Sequence, residues 1–166
     1  PLSDEEKKIV KELQLLTTKP FLYVYNVSDV AVTLAPELEA RPHMKLDIKI
    51  EEELIEMTQE EITEMELASH LGDLAQKAYA LLGLMTYFTT GEVETRAWTI
   101  HQGSTAPQAG AAIHGDFEEK FIRAEIIHWT KLLEAGSWSA ARDQGTLRLE
   151  GKDYIVQDGD VIVFKI

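Results

Sequence analysis

The stretch Glu94-Thr95-Arg96-Ala97-Trp98-Thr99-Ile100, followed after a turn by Gly103-Ser104-Thr105-Ala106-Pro107-Gln108-Ala109-Gly110-Ala111-Ala112-Ile113-His114-Gly115-Asp116-Phe117, decides how this chain is read. The first run is strand-like, the second holds small and apolar residues suited to one packed helix, and Phe121 to Trp129 reads as a second strand. Strand, turn, helix, strand predicts a compact α+β unit. Its closing strand is equally plain. Gly151-Lys152-Asp153-Tyr154-Ile155-Val156 leads into the polar turn Gln157-Asp158-Gly159-Asp160, whose Asp-Gly pair is a strong turn signal, and Val161 to Ile166 is almost wholly apolar.

Around that unit, 166 residues fit one ordinary domain or two small ones, and 45% apolar with 27% charged residues is the composition of a folded protein. No apolar run approaches the roughly 20 residues that span a bilayer, and the start lacks the order of a signal peptide. The absence of cysteine removes disulfides, cysteine-zinc sites and thiol catalysis. Together these point to the cytoplasm, with no membrane partner. The formal charge of −13 is uneven: residues 1 to 91 hold 17 acids against 8 bases, or −9, and residues 92 to 166 hold 12 against 8, or −4. Such a chain repels phosphate backbones at long range, so no DNA binding is expected and any RNA contact should be local, where Lys and Arg gather. Proline at position 1 is expected of a trimmed or expressed fragment.

From the first residue onward, Ser3 and Glu6 form a capping-box pattern before the stripe Ile9, Val10, Leu13 and Leu16, which predicts a helix from Asp4 to about Leu16. Pro20 stops it, and Phe21 to Tyr25 reads as a buried strand. Asn26-Val27-Ser28-Asp29 follows directly, where open α/β sheets place ligands, although a simple turn after a strand also explains both polar residues. Residues 30 to 43 read as a loop. Met44, Leu46, Ile48 and Ile50 alternate with polar residues, predicting a strand buried on one face. Thr58 and Glu61 repeat the capping-box spacing, and Glu60 to Glu66 reads as a solvated helix face. Leu71, Leu74, Ala75, Ala78, Leu81 and Leu82 predict an amphipathic helix that Gly83 ends in a left-handed conformation, which divides the chain into 1–82 and 83–166. Leu132, Leu133, Trp138 and Ala141 suit one or two short helices over the sheet.

Ala97-Trp98-Thr99-Ile100, Thr105 to Phe117, Phe121-Ile122-Arg123-Ala124-Glu125 and Gly151 to Val161 resemble the C-terminal TGS domain of the Obg-like ATPase (YchF) family. The resemblance implies a ubiquitin-like β-grasp fold for 83–166, a small mixed sheet wrapped around a helix from Pro107 to His114. It also implies that 1–82 is the α/β remnant of a P-loop nucleotide-binding domain. Lys19, Pro20, Tyr23 and Asn26 match the family's base-recognition segment, so the resemblance assigns base binding to Asn26, Val27 and Asp29. Asp29 stands where the family has Glu, and Asp47-Ile48 stand where it has a Ser-Ala motif, which leaves ATP and GTP both open. Family members have a longer helical excursion over residues 30 to 43.

The P-loop pattern G-x-x-x-x-G-K-[ST], whose amides and lysine hold phosphates, is absent from the sequence, as is a strand-borne Asp-x-x-Gly suited to a metal. No catalytic residue or metal ligand is therefore assigned, and the chain alone is not expected to hydrolyse nucleotide; ATP (or GTP) and Mg are implied only for an intact family member. His43, His70, His101, His114 and His128 lack paired metal-ligand spacing. His114 with Asp116 reads as an acid/base pair or as a histidine offsetting the dipole at the end of the helix before it. Trp98, Trp129 and Trp138 read as core before they read as base-stacking groups. The resemblance implies docking to the ribosome through ribosomal RNA or protein, with Lys120, Arg123, Arg142, Arg148 and Lys152 as the RNA-facing or partner-facing patch; surface solubility also explains these residues. The alternative is a stand-alone interaction or regulatory module, binding neither nucleotide nor RNA, whose sheet edge pairs with a partner strand.

Overall fold

The computed structural model describes residues 3, 6, 9, 10, 12–65, 67–91 and 93–166. Part of the helix expected over Asp4 to Leu16 lies outside the described residues. Its capping box is present, with Ser3 N donating to Glu6 Oε2 at 2.8 Å and Glu6 N donating to Ser3 Oγ at 3.3 Å. The chain divides into two compact units, Pro1–Leu82 and Gly83–Ile166.

In the first unit, β1 (Tyr23–Asn26) runs parallel to β2 (His43–Leu46), with Tyr23 opposite His43 and Asn26 opposite Leu46. A one-turn helix, α1 (Pro36–Glu39), interrupts the expected loop between them, and proline in its first turn needs no amide there. Two expectations change here. The strand expected to reach Ile50 ends at Leu46, because the Asp47 carboxylate accepts from Lys49 N at 3.0 Å and Ile50 N at 3.2 Å and caps α2 (Ile48–Glu56). A side-chain cap of this kind is worth about 0.5–2 kcal/mol and favours the helix over a four-residue extension of the alternating pattern. The strand expected to be buried at Phe21 to Tyr25 is largely open, with Phe21 52% and Val24 41% exposed.

Downstream, α3 (Gln59–Glu64) starts at Thr58, whose N and Oγ1 donate to Glu61 Oε2 at 2.8 and 2.9 Å. Those bonds, the backbone one first, hold the Glu61 carboxyl below its usual range. The helix buries none of its residues, as a solvated acidic face requires. Glu51 on α2 is only 6% exposed, and its carboxylate accepts from Ser69 Oγ and His70 N, both at 2.7 Å, which fixes the start of α4 (Leu71–Leu81). Gly83, at φ +63°, follows α4 in the left-handed region.

The second unit is a five-stranded sheet built from β3 (Leu84–Thr90), β4 (Thr95–His101), β5 (Arg123–His128), β6 (Arg148–Glu150) and β7 (Asp160–Lys165), in the order β4-β3-β7-β5-β6. β3 and β7 are parallel, while β3/β4, β5/β7 and β5/β6 are antiparallel. Alternation along the strands sends Met85, Tyr87, Ala124, Ile126 and Ile162 to one face, where α5 (Ala106–Ala111) adds Ala106 and Ala109. The Tyr87 hydroxyl donates to the Ala109 carbonyl at 2.8 Å, and burial raises its pKa. Ile127 and Val161 face the other way, under α7 (Trp129–Ala135) and α8 (Trp138–Asp143), with Trp138 packed beside them.

The helix expected from Pro107 to His114 is present as α5 but ends at Ala111, and a second short helix, α6 (Gly115–Glu119), follows it. His114 has extended backbone at the break, and its Nδ1 accepts from Asp116 N at 3.2 Å. It caps the helix that follows rather than the helix before it, so the expected dipole role is replaced by an acceptor role. Gly110 makes the fold-back possible, since a Cβ there would lie 2.9 Å from Phe117 Cβ. Trp129, expected in the core, is 45% exposed.

Candidate functional site

Two groups of residues were expected to bind, one in each unit. In the first, Asn26 ends β1 at the carboxyl edge of the parallel pair. Its Oδ1 accepts from Ile48 N at 3.3 Å, which ties the end of β1 to the first turn of α2 and leaves the Nδ2 donor pair unengaged among the described residues. Val27 N donates to the Leu46 carbonyl at 3.0 Å, so its amide belongs to the sheet and only its carbonyl is open to a ligand. Asp29 Oδ1 accepts from Ala31 N at 2.8 Å, and Val32 N donates to the Asp29 carbonyl at 3.1 Å. This is an Asx turn, and it leaves the second carboxylate oxygen unengaged. The loop therefore presents an amide donor, a carbonyl and a carboxylate oxygen.

No group of three His, Cys, Asp or Glu side chains gathers to hold a metal ion among the described residues. Residues 26–32 offer hydrogen-bonding groups and one carboxylate, with no lysine or arginine among them.

In the second unit the expected cations separate. Arg123, Glu125 and Ile127 share one face of β5, and Arg123 lies directly opposite Lys165 on β7. From α8, Arg142 reaches the same face, donating to Glu125 Oε2 at 3.3 Å, while Lys165 Nζ stands 3.7 Å from that oxygen. Arg148 pairs with Ile126 on β6 and so faces the other side, toward α5. There it donates to Tyr154 Oη at 2.9 Å and approaches the Asp160 carboxylate, which is 1% exposed, at 3.5 Å. Tyr154 Oη donates to Asp160 at 2.8 Å; burial first, then that hydrogen bond, push the phenol up to about 12. Lys120 is paired with Asp116 at 2.8 Å, and the bond and charge of that ammonium hold Asp116 below its usual range. Lys152 lies in the turn after β6 and forms no ion pair among the described residues.

The structure thus brings Arg123 and Arg142 together, sends Arg148 to the opposite face as part of a buried network, and leaves Lys120 and Lys152 at separate turns. It adds Lys165, which the sequence reading missed; its alternation with Val161 and Val163 would have placed it on the Arg123 face. It also adds Arg96, whose guanidinium lies 4.4 Å from the centre of the Trp98 ring on edge strand β4.

The model of the family YchF-GTPase_C, described as a protein of unknown function (DUF933), matches residues 84–166. The "Ribosome-binding ATPase YchF" of Bacillus subtilis is 44% identical over 180 residues, covering 98% of this chain and 49% of the relative. The protein of that name from Haemophilus influenzae is 40% identical, covering 99% of this chain and 49% of the relative. A solved structure, "Structure of the Schizosaccharomyces pombe YchF GTPase", is similar with a TM-score of 0.83 and 32% identity, over 99% of this chain and 48% of that chain. The chain spans about half the length of the curated relatives it matches. With both units inside these matches and the family model accounting for the whole sheet of the second, the chain belongs to the YchF family, and residues 84–166 are its YchF-GTPase_C domain.

Proposed function

We propose that the chain is the part of a YchF-type ribosome-binding ATPase or GTPase in which residues 1–82 close the nucleotide-binding domain and residues 83–166 form a TGS domain that docks on ribosomal RNA in the cytoplasm. The observation that carries this reading is the extent of similarity: relatives named for ribosome binding and ATPase activity match 98 to 99% of the chain, through both units. The topology of the second unit supports the β-grasp assignment, since its strands lie in the order second, first, fifth, third, fourth with the first and last parallel and a helix over one face. The position of Asn26, the Val27 carbonyl and Asp29 supports base recognition in an intact family member, where ATP (or GTP) and Mg would be held mainly through phosphate contacts. The sequence of this chain contains no such phosphate motif. Several charge-assisted hydrogen bonds, each about 1.5–3 kcal/mol, are then missing, so the chain alone binds nucleotide weakly and does not hydrolyse it.

The docking face is the cluster Arg123, Arg142 and Lys165. Arg123 and Lys165 are like charges directly opposite on neighbouring strands, a destabilising arrangement, with Glu125 as the one carboxylate shared by Lys165 and Arg142. A phosphate over this pair relieves the repulsion. The test is sedimentation of the 166-residue chain with ribosomal subunits over a salt series. Arg123→Ala, Arg142→Ala and Lys165→Ala should each lower the slope of log affinity against log salt by about 0.7–0.9, the value for one phosphate. Tight binding whose salt slope none of the three changes would refute the RNA face. Binding to a ribosomal protein that ignores salt would select instead a partner strand on the β4 edge, most of whose residues are exposed.

A further inference from the structure

The first unit carries a formal −9, yet one of its pockets is lined by two lysines that form no ion pair among the described residues. The pocket, about 320 Å3, lies between β2, the loop after Asp29 and α4, and its walls include His43, Lys45, His70, Asp73, Gln76 and Lys77. Lys45 Nζ donates to the Val32 carbonyl at 2.8 Å, and Lys77 Nζ donates to the His43 carbonyl at 2.9 Å. An ammonium has three donors, so each lysine keeps two. Among the described residues no carboxylate lies within 4.0 Å of either. The carboxylate on the wall, Asp73, is engaged by His70 Nδ1 at 3.2 Å, and His43 is held by Glu39 and the Arg41 carbonyl.

Two lysines on the walls of one pocket repel each other, and the neutral carbonyls that their ammonium groups hold lessen that repulsion without cancelling it. The α4 wall is fixed beforehand, because the buried Glu51 carboxylate clamps Ser69 and His70. Little ordering then remains for a ligand to impose. The Gln76 amide on the same wall makes no hydrogen bond among the described residues and adds further donors. Two positive charges, at least four open ammonium donors and an amide suit a tetrahedral dianion better than a planar monoanion.

We propose that this pocket binds a phosphate dianion, free or as a phosphomonoester, between Lys45 and Lys77. The site is coupled to the loop that carries Asp29, because Lys45 holds the Val32 carbonyl and the Val32 amide closes the turn on the Asp29 carbonyl.

The test is a titration of the 15N-labelled 166-residue chain with inorganic phosphate and, separately, with glycerol 3-phosphate, against chloride at matched ionic strength and against succinate. Saturable shifts are expected in the amides of Val32, His70 and Lys77, with the second unit unchanged. Lys45→Gln and Lys77→Gln should each weaken binding at least about tenfold, the effect of one charge-assisted hydrogen bond. Both glutamines keep a donor for the carbonyl that the lysine holds, so the spectrum of the free variants checks that the fold survives. Tighter binding of glycerol 3-phosphate identifies a phosphomonoester and equal binding identifies free phosphate; either upholds the site. Shifts reproduced by chloride, succinate binding as tight as phosphate, no saturable shift, or unchanged affinity in both variants would each overturn it.

Discussion

Replacing Gly159 with alanine tests how β7 is fastened into the sheet. Gly159 has φ +82°, and a Cβ there would stand 2.7 Å from His128 Nε2 and 2.8 Å from Trp129 Cδ1. Neither neighbour yields freely. His128 is held at its other nitrogen, where Nδ1 lies 2.8 Å from Thr130 Oγ1 and caps α7, and Trp129 N donates to the Gly159 carbonyl at 3.0 Å. Gly159 N in turn donates to the Thr86 carbonyl at 2.9 Å, so the backbone cannot move without loosening β3. The left-handed conformation costs a residue with a Cβ about 1–2 kcal/mol. Displacing packed neighbours adds about 1–3 kcal/mol, for a loss of about 2–5 kcal/mol. Gly103 is the control: at φ +84° with nothing within 4 Å of its Cβ position, Gly103→Ala should lose only the backbone part, about 1–2 kcal/mol. Urea unfolding followed by tryptophan fluorescence reads the second unit alone, since Trp98, Trp129 and Trp138 all belong to it. Equal losses in the two variants would refute the steric account.

Glu51→Ala should destabilise the first unit by at least about 1–3 kcal/mol, because it strands the His70 amide and the Ser69 hydroxyl, whereas the exposed Glu52→Ala should change little; urea unfolding followed by circular dichroism compares them. The Tyr154 phenol, raised to about 12, is neutral in both folded and unfolded chains below about pH 10, so its contribution to stability is full there and falls as pH rises toward 12. Denaturation midpoints across that window should fall less steeply for Tyr154→Phe than for the parent, and identical slopes would count against the assignment. Hydrogen exchange should be slower in the sheet of residues 84–165 than across residues 21–50, where Met44 and Leu46 are the buried apolar residues; the reverse order would show that the stable unit has been misjudged.

Strands β4, β5 and β7 of the second unit were legible because they alternate or run apolar between turn residues, whereas β3 and β6 were not singled out as strands. The breaks were less legible, for local reasons. Ile48 and Ile50 keep the alternation of Met44 and Leu46, yet the Asp47 carboxylate converts their amides into the first turn of a helix. A cap of one aspartate is easily hidden inside a longer periodic run. The helix expected over Pro107 to His114 stops at Ala111, short of the residue expected to end it. His114 starts the next helix as an acceptor, and the glycine that permits the turn, Gly110, packs against Phe117 seven residues away. Nothing in the spacing of small residues distinguishes a glycine needed for close approach from one merely tolerated in a helix.

The cations show the same limit at longer range. Lys120 with Arg123, and Arg148 with Lys152, are near in sequence, but a strand turns successive side chains to opposite faces, and register decides what each one meets. Register sends Arg148 to the buried carboxylate of Asp160 and sets Arg123 opposite Lys165, forty-two positions further along the chain. The charges differ accordingly. Arg148 is matched by Asp160 and Glu150, while Arg142 and Lys165 share the carboxylate of Glu125 and Arg123 forms no ion pair among the described residues. A chain of formal charge −13 can therefore present a local excess of positive charge. At physiological salt, repulsion between the acidic remainder and an RNA backbone is largely screened beyond about 8 Å, whereas a phosphate seated on the three cations is within that distance. The proposed docking face consequently acts after encounter rather than by steering. Weakening it should raise the dissociation rate more than it lowers the association rate, and stopped-flow measurements on Arg123→Ala that found the loss mainly in association would contradict this order of events.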